Sequence, residues 1–308
     1  MGRTLVKFKL RRAPRLEQPS IARADRRKVM SQYLLPKRRL TALAGRFASR
    51  EGGRSTLPTI RWFVRKYGVD MSEAVEPDIS TYRSFNDFFT RALKPGARPL
   101  ADADLVSPVD GSISQFGKIE HDQILQAKGH RYSTTALVGG DAVLAAQFQN
   151  GSFATLYLSP KDYHRIHMPA DGRLLRMIHV PGDLFSVNPT TARGVPGLFA
   201  RNERVVCVFE SARGPFVLVL VGATIVGSMA TVWHGVVNAP RVADVREWQY
   251  VDAAVPVQLK QGEEMGRFLL GSTVVMLFPK SSGASLQFNP AWAPGGPIRL
   301  GEAMANYG

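Results

Sequence analysis

Apolar positions recur with a helical period only in the first third of the chain. From Pro36 onward, Leu40, Leu43, Ala44 and Phe47 fall at i, i+3, i+4 and i+7, with Arg39, Arg46 and Arg50 along one flank. That is the stripe of an amphipathic helix. The spacing returns after Glu51-Gly52-Gly53 as Ile60, Phe63, Val64 and Tyr67, with Arg61, Arg65 and Lys66 beside it. Pro58 near the start and Gly68 past the end suit the two termini of a second helix. A third helix is predicted across Ser84–Leu93, carrying Phe85, Phe88 and Phe89, and the turn-rich Lys94-Pro95-Gly96-Ala97-Arg98-Pro99 closes the region. Residues 1–28 show no convincing period and read as a basic extension.

From about residue 104 the texture changes to short apolar runs broken by glycine and proline, which is the pattern of β-structure. Gly214–Pro240 holds no formally charged residue and could be taken for a membrane span. Gly222, Gly227 and Ser228 interrupt it, so two buried strands with a tight connection are predicted instead. The pattern as a whole predicts an α+β fold. An N-terminal amphipathic helical layer across 29–100 precedes a mostly antiparallel β body across 101–308.

Charge separates the same regions. Residues 1–54 hold sixteen Lys and Arg against Glu17, Asp25 and Glu51, a net of +13 out of +15 for the 308-residue chain. The body is therefore nearly neutral, and the basic module is the N-terminus, suited to nucleic acid, to anionic lipid or to a transit function. Two basic amphipathic helices in series favour a membrane surface, against the alternative that they only pack on the body. At 44% hydrophobic and 21% charged, the composition excludes disordered and collagen-like classes. The single cysteine, Cys207, rules out an internal disulfide framework and a multi-Cys zinc site, and its apolar neighbours Val205, Val206, Val208 and Phe209 predict a buried, inert thiol.

Nucleotide-binding glycine loops, His-Glu-x-x-His and Gly-x-Ser-x-Gly are all missing. His121, His130, His179 and His234 each stand alone and read as structural or surface residues. Chemistry concentrates in Ser159-Pro160-Lys161-Asp162-Tyr163-His164-Arg165-Ile166-His167-Met168-Pro169. His164 and His167 could ligate a metal, but a third ligand at recognisable spacing is missing, and general acid–base work is the better reading. Asp110 in Ser107-Pro108-Val109-Asp110-Gly111 and Ser272 in Leu269-Leu270-Gly271-Ser272-Thr273 would, taken singly, read as an Asx-turn and the start of a strand.

Taken together, these three segments resemble the phosphatidylserine decarboxylase family, and the Leu-Gly-Ser-Thr form matches its bacterial membrane-associated type. Further stretches carry the likeness over most of the chain: Phe88–Pro99, Gln126–His130, Pro181–Asn188, Leu198–Arg204 and Val221–Ser228. The first 18 residues or so have no counterpart in it. The resemblance implies self-cleavage between Gly271 and Ser272, with Ser272 becoming a covalent pyruvoyl cofactor. It implies that Ser272 is activated by His167 and that Asp110 orients His167, a triad used once and on itself. It assigns His164 to proton delivery during decarboxylation by way of a substrate imine, with Asp162 helping to orient the imidazoles. The implied partners are phosphatidylserine, an anionic membrane surface, the two cleavage chains with each other, and a second such heterodimer; nucleic acid is not among them, and no metal is implied. The implied location is the cytoplasmic face of the inner membrane, as a peripheral protein. A serine hydrolase using Asp110, His167 and Ser272, and a non-catalytic basic membrane-binding protein, are the alternatives.

Overall fold

A computed structural model of the chain describes residues 23–224, 228–239, 241–269, 272–280 and 285–308. Four helices come first: α1 (Arg23–Leu34), α2 (Lys37–Ser49), α3 (Thr56–Tyr67) and α4 (Phe85–Phe89). Gly68 ends α3 in the left-handed region at φ 66°, its N–H donating to the Val64 carbonyl, a conformation that glycine adopts without a Cβ penalty. Ser84 caps α4, accepting from the Asp87 N–H.

Three expectations change here. Helix starts at Arg23, inside the stretch read as a period-free extension; residues 1–22 lie outside the described residues. Local periodicity does not stabilise α1. It buries Val29 in the core beneath it, and Tyr33 meets Phe185 edge-on at 5.0 Å. The third helix has only five residues, because the chain leaves helical geometry at Thr90 and Leu93 bridges to Ala74. The apolar stripe on α2 and α3 divides. Ile60 and Phe63 are buried with Ala48, Val69, Phe85, Phe88 and Phe89, whereas Leu43 (62%), Phe47 (44%) and Trp62 (54%) are exposed. Neighbouring aromatics rather than period decide which face turns inward.

The strands up to the body's midpoint are β1 (Leu105–Val106), β2 (Gly111–Lys118), β3 (Gln123–Ala127), β4 (His130–Ser133), β5 (Ser152–Leu158), β6 (Arg165–His167), β7 (Gly172–Val180), β8 (Arg204–Ser211) and β9 (Gly214–Val221). They continue as β10 (Met229–Thr231), β11 (Gly235–Val236), β12 (Arg246–Gln249), β13 (Gln258–Leu259), β14 (Glu264–Phe268), β15 (Ser272–Phe278), β16 (Leu286–Phe288), β17 (Pro297–Ile298) and β18 (Ala303–Tyr307). A nine-stranded sheet has the order β12-β7-β8-β9-β15-β5-β2-β17, with β13 also on β7; a four-stranded sheet runs β11-β10-β14-β6, a three-stranded one β1-β18-β16, and β3-β4 is a hairpin. The named strand pairs are antiparallel, so the body is an α+β fold of the expected kind.

The large sheet has an apolar layer on each face. Val274, Met276, Phe278, Leu218, Cys207 and Leu156 enter one cluster, and Val275, Leu277, Val217, Val219, Val206 and Phe153 the other. Burial on both faces turns a strand into a continuous apolar run, which is why Gly214–Pro240 has the hydropathy of a span. Among the described residues no helix is long and apolar enough to cross a membrane. The two strands predicted there exist but are no hairpin: β9 lies in the large sheet and β10 in the four-stranded one. Cys207 is fully buried, and burial pushes its thiol well above the ordinary range.

Candidate active site

Residues 159–164 connect β5 of the large sheet to β6 of the four-stranded sheet. β14 of the four-stranded sheet is followed in the chain by β15 of the large one. Because β5 pairs with β15 and β6 with β14, the end of β5 and the start of β15 meet at one junction. Ser272 begins β15 opposite Leu158, and Phe268 N–H donates to the His164 carbonyl at 3.0 Å. Gly271 and the side chain of Ser272 lie outside the described residues.

Asp110 arrives from the other side. Its Ser-Pro-Val-Asp segment runs along β6, where His167 N–H donates to the Pro108 carbonyl at 2.9 Å, and it then enters β2, whose Ser112 pairs with Tyr157. Gly111 follows because a Cβ there would stand 2.2 Å from the Tyr157 carbonyl oxygen, on a backbone at φ 155°.

The two histidines have different surroundings. His164 is fully buried with its ring 4.1 Å from that of Phe89. Its Nδ1–H must donate to the Asp162 carbonyl at 2.7 Å, since a carbonyl only accepts. Nε2 therefore carries the lone pair, and it has no partner. Burial pushes the imidazole down to about 3, so it is neutral. His167 donates from Nδ1 to the Gly262 carbonyl at 2.7 Å, and its Nε2 accepts from the Tyr163 hydroxyl at 3.1 Å. Burial lowers its proton affinity as well, while the Gly262 bond and the Glu264 and Asp110 charges oppose that effect. Burial pushes the Tyr163 phenol up to about 12, which keeps it a donor.

Asp110 is not hydrogen-bonded to His167. Its carboxylate takes Arg98 Nε at 2.9 and 3.2 Å and Nη2 at 2.6 Å, and the Leu300 N–H at 2.9 Å. Arg98 also bonds Glu73 at 2.7 Å. Asp162 accepts the Ser159 N–H at 2.6 Å, and burial raises its proton affinity against that bond. A cleft of about 310 Å³ opens here, lined among others by Arg91, Arg98, Asp110, Lys161, Asp162 and Tyr163. Thus the fold gathers Asp110, Asp162, His164, His167 and the start of β15, but it orients His167 through Gly262 and Tyr163 rather than through Asp110. Sequence reasoning gave Tyr163 and Arg98 no role, although both stand inside the segments singled out. Among the described residues no cluster of three or more His, Cys, Asp or Glu is arranged to hold a metal ion.

The sequence that folds into this antiparallel β body has relatives. The family model described as phosphatidylserine decarboxylase matches residues 85–306, and a second, described as PSD, matches residues 27–68. The chain is 77% identical over 280 residues to the phosphatidylserine decarboxylase proenzyme of Polaromonas sp. strain JS666, covering 91% of this chain and 98% of that protein. It is 76% identical over 283 residues to the protein of that name from Variovorax paradoxus, covering 92% and 98%. The Polaromonas naphthalenivorans protein is 75% identical over 284 residues, covering 92% and 97%. The chain belongs to the phosphatidylserine decarboxylase family.

Proposed function

We propose that this chain is a self-processing enzyme that converts phosphatidylserine to phosphatidylethanolamine and CO2 at a membrane surface. Beyond family membership, the observation that carries this reading is the junction itself, where β15 starts at Ser272 beside the connection holding Asp162 and His164.

Self-processing needs a base for the Ser272 hydroxyl, which is a poor nucleophile unaided. His167 has its lone pair at Nε2, on the side where the Tyr163 hydroxyl now donates. A base there takes the hydroxyl proton as Oγ attacks the Gly271 carbonyl and an ester replaces the peptide bond. Asp110 acts on His167 through space, its negative charge raising imidazole basicity, and Arg98 holds that carboxylate in place. Loss of the Ser272 Cα proton then expels the Gly271 carboxylate and leaves dehydroalanine at 272, which water converts to the pyruvoyl group with release of ammonia, so that residues 1–271 and 272–308 become separate chains.

The residues fit a pyruvoyl group at position 272: the buried Nε2 of His164 is an unpartnered proton acceptor in a site otherwise short of free bases. Such a group supplies an electron sink for the pair released with CO2. His164 is assigned to proton delivery to the carbon that loses CO2. The Asp162 carbonyl holds its ring in one tautomer with Nε2 as the free face, and the negative charge of a bound substrate offsets the loss of proton affinity that burial imposes.

The exposed Leu43, Phe47 and Trp62, with the basic residues around them, suit α2 and α3 to an anionic bilayer. We place the protein peripherally on the cytoplasmic face of the inner membrane, as a homodimer of cleaved protomers. An intact-mass spectrum in denaturant tests the reading. Wild-type protein should give two chains meeting at Gly271 and Ser272, the smaller with a blocked N-terminus, whereas Ser272→Ala stays whole and releases no CO2 from phosphatidylserine. Active wild-type protein of full-length mass rejects it.

A further inference from the structure

Arg91 is an anomaly within the cleft. It is only 5% exposed, yet among the described residues no carboxylate lies within ion-pair distance of it. Its guanidinium donates from Nη2 to the Lys161 carbonyl at 3.3 Å and lies 5.6 Å from the Phe88 ring centre, while its Nε has no partner. A buried cation costs several kcal/mol in lost hydration unless an anion compensates it. Burial accordingly weakens its hold on the proton. Asp110 and Glu73 are not its partners, because Arg98 takes both and Arg299 also takes Glu73. Lys161, exposed at the same wall, makes no ion pair among the described residues.

We infer that Arg91, assisted by Lys161, is a receptor for a phosphodiester, and that its ligand is the phosphate of the lipid headgroup. This rests on the reading of the chain as a phosphatidylserine decarboxylase. The planar fork of arginine, with Nε still free, matches the oxygens of a phosphate. The cleft volume of about 310 Å³ is at the lower end for small-ligand sites and suits a headgroup. The substrate's other anion, its carboxylate, is the wrong ligand for physical reasons. A cation on the departing carboxylate stabilises the ground state more than the transition state and slows loss of CO2, whereas one on the phosphate binds both states alike and orients them.

The test uses full-length wild type, Arg91→Met and Arg91→Lys. Calorimetry measures binding of glycerophosphoserine, inorganic phosphate and free serine, and CO2 release from phosphatidylserine in mixed micelles measures kcat and KM. Arg91→Met should still self-cleave and melt no lower than wild type, lose tenfold or more in glycerophosphoserine affinity, and raise KM tenfold or more while kcat falls less than threefold. Arg91→Lys should lie between the two, and serine binding should be equal in all three. Glycerophosphoserine bound equally by wild type and Arg91→Met overturns the inference, as does a loss of serine affinity in parallel. A lower melt in Arg91→Met that Arg91→Lys corrects without restoring binding shows a structural residue and overturns it too. Inorganic phosphate bound as tightly as glycerophosphoserine overturns the headgroup as ligand. If wild type releases no CO2 but binds glycerophosphoserine through Arg91, the receptor stands and the enzymatic reading falls.

Discussion

His164 and His167 sit three residues apart, yet each nitrogen has been given a different partner. In both, Nδ1 is fixed on a carbonyl, so the difference lies at Nε2, free in His164 and held by Tyr163 in His167. Both imidazoles bind protons more weakly than in an unfolded chain, so the unfolded state takes up more protons in acid and stability rises with pH. For His164 the window runs from about 3 to the ordinary 6.5. Stability is full above that window and is lost as pH falls through it. Thermal melts of His164→Gln across the window should therefore show a pH slope smaller by about one proton; a slope equal to wild type would mean that His164 is not held neutral. Arg98 gives a second prediction. Arg98→Met leaves the buried Asp110 carboxylate without a counter-charge, which costs about 3–5 kcal/mol, and self-cleavage should slow. Adding Asp110→Asn should restore the melt but not the cleavage, since it removes the stranded charge together with its effect on His167. Recovery of both would show that Asp110 has no part in processing.

At the scale of elements, α2 and α3 show that one apolar stripe can serve two surroundings. Phe63 meets the rings of Phe85, Phe88 and Phe89 at centroid distances of 5.1, 5.9 and 5.9 Å, whereas Phe47 and Trp62 face outward. Phe47→Asp with Trp62→Asp should abolish flotation with anionic liposomes without moving the melt. Phe63→Asp should instead lower the melt, because burying an unpaired carboxylate among aromatics has nothing to offset it. Wild-type flotation should weaken but persist in salt. Screening over roughly 8–10 Å at 0.1–0.15 M reduces Lys and Arg attraction but leaves the apolar contact intact. Retained flotation in the Phe47/Trp62 variant would mean that these helices do not hold the membrane.

For the whole molecule, the proposed cut falls before the strand least able to leave. β15 lies between β9 and β5, with Thr273 opposite both Val221 and Tyr157, and Val274, Val275, Met276, Leu277 and Phe278 are buried. At roughly 1.5–3 kcal/mol for each fully buried side chain of this kind, withdrawing the strand would open both apolar layers. The small chain also supplies β16, β17 and β18, which pair among themselves and with β1 and β2. Cleaved protein should therefore run as one species in native mass spectrometry and separate only in denaturant. Loss of the 272–308 chain under native conditions would contradict this arrangement.

Local signals sufficed for what depends on residue type and short spacing. They were enough for the helical periods of α2 and α3, the β texture after residue 104 and the buried Cys207, whereas Asp110 and Ser272 stand out only through the family resemblance. They failed where the answer depended on distant partners. The inward turn of Phe63, the folding of Arg23–Lys28 as the first turns of α1, the Asp110–Arg98 clamp and the burial of Arg91 without an ion-pair partner among the described residues all went unread. The physical reason is register. A buried polar atom bonds to whatever the fold brings within about 3 Å, and here those partners come from 12 residues away for Asp110 and Arg98 and from 95 for His167 and Gly262. Sequence alone determined which groups were available for chemistry, and only the tertiary structure decided which of them are paired and which are left free to act.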